Sequence, residues 1–97
     1  MTARLPFSDS RLMSLSLSEF RASIAKLGPH RTIGEIPVFD IAGGTVAIRY
    51  EPAPPKVFGG LLSLPQAHIK LVFDGVAERD RAAFIDRFDI AFQRGGG

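Results

Sequence analysis

The stretch IPVFDIAGGTVAIRYE (residues 36–51) constrains this chain more than any other part of it. Apolar side chains fall on alternate positions on both sides of a glycine pair. Phe39 and Ile41 precede Gly43-Gly44, and Val46, Ile48 and Tyr50 follow it. Period two is the signature of a strand with one buried face, and two glycines between such runs supply the positive φ angles of a tight hairpin turn. A turn at Gly43-Gly44 sets Ile41 opposite Val46, Phe39 opposite Ile48 and Pro37 opposite Tyr50, all on one face. Val38, Asp40, Ala47, Arg49 and Glu51 then form the other face.

A third run, AHIKLVFDG (residues 67–75), alternates in the same way. Ile69, Leu71 and Phe73 point one way, and His68, Lys70 and Val72 the other. The period changes to that of a helix at LSLSEFRASIAKLGP (residues 15–29), where Leu17, Phe20, Ile24 and Leu27 share a face. Ser16 and Glu19 have capping-box spacing, Leu15 and Phe20 stand where a hydrophobic staple closes, and Gly28-Pro29 stops the helix. A second helix is predicted in AERDRAAFIDRFDIAFQRGGG (residues 77–97), where Phe84, Phe88 and Phe92 recur every four residues. Glu78 and Asp80 lie near its positive end and Arg94 near its negative end.

Two segments resist a periodic reading. Residues 1–14 carry scattered serines and Pro6, and are expected to form a loose N-terminal arm. Residues 52–66 begin with Pro52, Pro54 and Pro55, which favour an extended run. Val57, Phe58, Leu61, Leu62 and Leu64 then surround Gly59-Gly60. That segment is either a core plug or fourth strand, or an exposed patch for a partner.

With 97 residues, 45% of them hydrophobic and 23% charged, the chain suits a single small domain over 1–97. Without cysteine it has no disulfide, thiolate nucleophile or cysteine-based metal site, which fits a reducing, cytoplasmic setting. The longest unbroken apolar run is residues 82–85, so neither a signal-peptide core nor a membrane span is expected. A net charge of +2 without a basic block carries no nucleic-acid signal.

Ionisable groups show no converging set. His30 and His68, the two histidines, are far apart and lack partners at metal-ligand spacing. No GxSxG elbow is present, and neither glycine pair matches a phosphate-binding loop. Asp86 and Asp89 lie on a polar helix face. No catalytic, metal or cofactor site is expected. Gly95 belongs where a helix cap belongs, and residues 95–97 read as a flexible glycine tail. The reactive glycine tails of β-grasp carrier proteins instead leave a final strand.

The resulting fold class is α+β: an antiparallel sheet of three or four strands with two helices on one face, in the order α-β-β-(β)-β-α. This order resembles that of the double-stranded-RNA-binding domain. The resemblance covers element order and no motif, because AERDRAAF places Glu78 and Asp80 where that family presents lysines to phosphates. The expected function is a small soluble interaction module that binds a protein partner or itself through Val57, Phe58, Leu61 and Leu62. The alternative is an anionic ligand or nucleic acid on the open sheet face, held by Arg49, His68 and Lys70.

Overall fold

Ser16 opens the first helix as its sequence predicts. Its hydroxyl accepts from the Glu19 backbone N–H at 3.2 Å, and its own N–H donates to the Glu19 carboxylate at 2.9 Å. Leu15 and Phe20, on either side of this cap, are both buried. In the computed structural model, which describes residues 6–93, this helix is the second of seven elements. They are β1 (Phe7–Met13), α1 (Leu17–Leu27), β2 (Arg31–Ile33), β3 (Ile36–Ile41), β4 (Gly44–Phe58), β5 (Leu62–Asp74) and α2 (Glu78–Ala91). The strands form one antiparallel sheet in the order β1-β5-β4-β3-β2.

The α+β class holds, but the element order and strand count differ from those the sequence predicts. Residues 7–13 are not a loose arm. They pair with the C-terminal half of β5, from Phe7 opposite Phe73 to Met13 opposite Ala67. The strand lacks an apolar alternation because it ties itself to α2 with charged side chains. Arg11 pairs with Asp89 and lies 5.6 Å from the centre of the Phe88 ring. Arg81 of α2 lies 4.2 Å from the Phe7 ring, a cation–π contact. The other unforeseen strand, β2, has three exposed residues at the sheet edge. With a strand before α1 and four strands between the helices, the order no longer matches that of the double-stranded-RNA-binding domain.

The β3–β4 turn sits one residue earlier than its glycine pair implies. Ala42 and Gly43 carry the positive φ angles, 45° and 81°, and Ile41 faces Gly44. Phe39 therefore faces Val46 instead of Ile48. Faces are preserved because each partner moves by two residues. The reason lies across the sheet, where Gly44 meets the end of β5. A Cβ on Gly44 would stand 2.3 Å from the Asp74 carbonyl oxygen and 2.6 Å from the Gly75 carbonyl. Gly44 is thus needed for close approach, and Ala42 takes a left-handed conformation that costs about 1–2 kcal/mol.

Both helices cover the same sheet face. Val46, Ile48, Ala67, Ile69, Leu71 and Phe73 project from β4 and β5 and are at most 1% exposed. Against them α2 lays the predicted stripe of Phe84, Phe88 and Phe92, all buried. Phe88 and Phe92 stack at 4.1 Å, and Phe84 meets Phe73 edge-on at 6.0 Å. Phe20 brings α1 to this cluster, 5.9 Å from Phe92. The Arg87 guanidinium donates to the Leu27 carbonyl at 2.8 Å, satisfying the end of α1 from α2. The C-terminal glycine tail and the Gly95 cap lie outside the described residues, and α2 itself ends with Phe92 as its cap.

Strand lengths are unequal. β4 has 15 residues and β5 has 13, against seven in β1 and six in β3. The excess projects as a two-stranded arm, and the structure extends over 56 × 26 × 24 Å. Its radius of gyration, 14.8 Å, exceeds the value of about 13 Å for a compact chain of this length.

Two substitutions probe this packing. Phe88→Ala should destabilise the protein by about 3–5 kcal/mol, because it empties a fully enclosed aromatic site. Gly44→Ala should cost about 1–3 kcal/mol, since backbone must move to admit the methyl group. Denaturant melts of both variants check these values. An unchanged midpoint for Gly44→Ala would mean that β4 and β5 do not approach so closely.

Candidate functional site

β3 pairs with β4 as far as Val38 opposite Ala47, and β1 pairs with β5 as far as Met13 opposite Ala67. Beyond Pro52 opposite Ala67, β4 and β5 pair only with each other, and none of residues 53–66 is buried. The ladder continues through a bulge between Ala53 and Lys56 to Phe58 opposite Leu62. Gly59 and Gly60 take φ values of 56° and 72°, and the Leu61 N–H donates to the Phe58 carbonyl at 3.1 Å, closing the turn.

This places the four apolar residues named from the sequence at the far end of the arm, exposed. Leu61 at the apex is 98% exposed, Val57 60%, Leu62 54% and Phe58 42%. Phe58 and Leu62 are direct cross-strand partners and share a face. The Lys56 ammonium lies 5.1 Å from the Phe58 ring centre and supports it from one side. Of the two readings of residues 57–64, a core plug is excluded. The segment forms strand ends and turn, outside the core.

The arm's edges are chemically blunted. Pro52, Pro54 and Pro55 interrupt β4, and Pro65 interrupts β5. Each removes a backbone donor from a strand that would otherwise invite another chain to pair. The apex therefore presents side chains, and its flanks present poor templates for strand addition.

A second feature lies at the foot of the arm. A groove of about 660 Å³ opens between α1, the β2–β3 turn, the start of β3 and the middle of β4. Phe20, Ile24, Ile48 and Tyr50 form its apolar floor. Tyr50 is fixed there by its hydroxyl, which donates to the Leu15 carbonyl at 3.4 Å, and by the Phe20 ring at 5.2 Å. Leu17 overhangs the groove and is 42% exposed, although its spacing had set it on the buried face. The charged residues that line it are of both signs, Arg21 and Arg49 with Glu35 and Glu51. Sequence reasoning missed this groove, because it arises from the mismatch in strand length.

On the uncovered sheet face, Arg49 and Lys70 are direct cross-strand partners, and His68 lies opposite Glu51. The three residues of the anion alternative are therefore gathered on two neighbouring strands. Asp40, which would dilute them, is engaged by Arg31 at 3.1 Å. Among the described residues, no ion pair or side-chain hydrogen bond engages Arg49 or Lys70.

His30 stands just before β2 and lines the groove. Its Nδ1 hydrogen-bonds the Gly28 carbonyl at 3.0 Å and its ring packs 5.0 Å from Phe39. Asp89 is held by Arg11. Among the described residues no group of three or more His, Asp or Glu side chains is placed to hold a metal ion, and no helix is long and apolar enough to cross a membrane. No family model matches the chain, and comparisons with curated proteins and with solved structures return no match.

Because the apex touches nothing else in the chain, Phe58→Asp combined with Leu61→Asp should leave the fold intact. The melting midpoint should shift by no more than about 0.5 kcal/mol in stability terms. Circular dichroism and a thermal melt of the double variant check this. A collapsed spectrum would place the apex in the core.

Proposed function

We propose that the protein is an interaction module whose β4–β5 arm is the docking element, with Leu61, Phe58, Val57 and Leu62 as the contact residues. One observation carries this reading: four large apolar side chains are exposed together at the end of a ribbon whose own edges are punctuated by proline. Burying each on a partner yields about 1.5–3 kcal/mol for a complete transfer from water, less the fraction already covered. The apex is narrow, so it suits a concave receiver better than a flat one.

A second reading rests on the Arg49–Lys70 pair. Like charges directly opposed in a sheet are destabilising by a few tenths of a kcal/mol to about 1 kcal/mol. An anion bridging them on the open face would relieve that repulsion. Arg49→Ser with Lys70→Ser should then abolish the resonance shifts that phosphate or a polyphosphate induces in wild-type protein, and added salt should suppress those shifts. Unaltered shifts in the double variant would remove this reading.

The arm is tested by placing a photo-cross-linker at its apex. Leu61→p-benzoylphenylalanine should give adducts to a protein, either a second copy of this chain or another polypeptide, when illuminated in source-cell extract. The same group at Ser8, on the sheet face, should not. Adducts that require Phe58 and survive high salt support apolar docking. An apex that gives no adduct sinks the proposal.

A further inference from the structure

We infer that the uncovered sheet face holds a single phosphate monoester, with Ser10 as a third donor beside Lys70 and Arg49 and the organic part of the ester lying on Val72, Ala47 and Val38. This deepens the anion reading of the Arg49–Lys70 pair, on which it rests, by adding a residue and naming the ligand class. Side chains alternate between faces along a strand, so the neighbours of each residue fix its side. Ile48 and Tyr50 flank Arg49, and Ile69 and Leu71 flank Lys70; all four pack in or against the core under the helices. Asp9 and Arg11 flank Ser10, and Arg11 reaches α2 on that same covered face. Arg49, Lys70 and Ser10 therefore project together from the other side. The register makes them immediate neighbours, since Ser10 faces Lys70 and Lys70 faces Arg49. Three adjacent strands, spaced about 4.8 Å apart, thus offer a hydroxyl, an ammonium and a guanidinium in one row. Among the described residues, none of the three makes an ion pair or a side-chain hydrogen bond.

The rows that border this one select the ligand. On one side lie Ser8, Val72, Ala47 and Val38, paired in that order across β1, β5, β4 and β3. Val72 and Ala47 are half-buried and Val38 is buried, so this row is a close-packed apolar surface. On the other side lie Leu12, His68 and Glu51. A phosphate monoester carries close to two negative charges at neutral pH, which Arg49 and Lys70 match, and its oxygens accept from all three donors. A second phosphoryl group finds no free cation in either direction. It meets apolar side chains toward Ala47 and a carboxylate toward Glu51. Arg31 is engaged by Asp40, and Lys56 lies out on the arm against the Phe58 ring. A nucleic-acid strand or polyphosphate draws its affinity from cations repeated along its track, and this face repeats none. An ester with a compact apolar body suits both the charge pair and the row beside it.

Resonance titrations of the full chain with phenyl phosphate, inorganic diphosphate and a phosphoserine tripeptide test the inference. Phenyl phosphate should shift Ser10, Lys70, Arg49, Ala47 and Val72, and should bind more tightly than diphosphate despite its lower charge. Ser10→Ala should weaken phenyl phosphate roughly three- to tenfold, the loss of one hydrogen bond to a charged group. Its melting midpoint should stay at the wild-type value, because the hydroxyl is exposed and has no partner in the protein. Glu51→Gln should tighten both ligands and narrow the gap between them, since its carboxylate opposes a second phosphate. Diphosphate binding more tightly than phenyl phosphate to wild type overturns the inference, and so does a Ser10→Ala protein that binds phenyl phosphate as wild type does. In either case the anion reading survives if Arg49→Ser with Lys70→Ser still abolishes the shifts. If no phosphate compound shifts the wild-type resonances, or if the shifts persist in that double variant, both fall. The tripeptide separates two sources of the same chemistry. Binding tighter than phenyl phosphate supports a phosphorylated side chain of another protein as the ligand, and weaker binding supports a free small ester.

Discussion

The pairing of β4 with β5 is the contact on which the rest of the structure depends. Its lower half lies between β1 and β3, under both helices, and supplies the sheet side of the core through Val46, Ile48, Ala67, Ile69, Leu71 and Phe73. Its upper half has no neighbours. An isolated two-stranded hairpin is marginal in water, so the arm persists because its register is fixed from below. The anchor is the approach of Gly44 to Asp74 and Gly75, which admits no side chain and no slippage at the base of the ladder. Rigidity set at one end of the two strands positions an apex at the other.

Much of the lower half was legible in the sequence, because burial on one face imprints a period. The capping box, the α1 stripe, the alternation in β4 and β5 and the four-residue recurrence of phenylalanine in α2 all follow from elements with one wet and one dry side. β1 was not legible for a physical reason. Two of its inward positions are Asp9 and Arg11: Asp9 pairs with Arg11, and Arg11 reaches α2 by an ion pair with Asp89 and a contact with the Phe88 ring instead of by apolar burial. The position of the β3–β4 turn was hidden for another reason. Gly44 looks like a turn glycine until the end of β5 is placed against it, and that information is tertiary.

The candidate site divides in the same way. Val57, Phe58, Leu61 and Leu62 stood out as apolar residues around a flexible pair, but a core plug and an exposed apex have the same composition. Strand length decides between them, since β4 and β5 outrun every element that could cover their ends. The groove follows from that same mismatch and has no local signature at all. Arg49, His68 and Lys70 were placed correctly on one face by period two. Arg31, which occupies Asp40 and so leaves the face more basic than its composition suggests, lies in a strand too short to recognise.

Proline in the arm separates two ways in which a projecting ribbon can engage another molecule. Strand addition draws on backbone donors along an open edge, and would be weakened by Pro52, Pro54, Pro55 and Pro65 in proportion to the donors they remove. Those residues also loosen the arm's own ladder, visible as the bulge between Ala53 and Lys56. A ribbon built for edge pairing has no use for either effect. One that offers its apex gains from both, because edges that pair poorly keep the arm free of unspecific sheet extension while four apolar side chains stay exposed beyond them. Exposed hydrophobic surface on an unprotected edge is an aggregation hazard; on a proline-punctuated arm it is confined to the apex. The distribution of proline and apolar residues along residues 52–66 is therefore a statement about mode of contact, and it favours insertion of side chains over extension of the sheet.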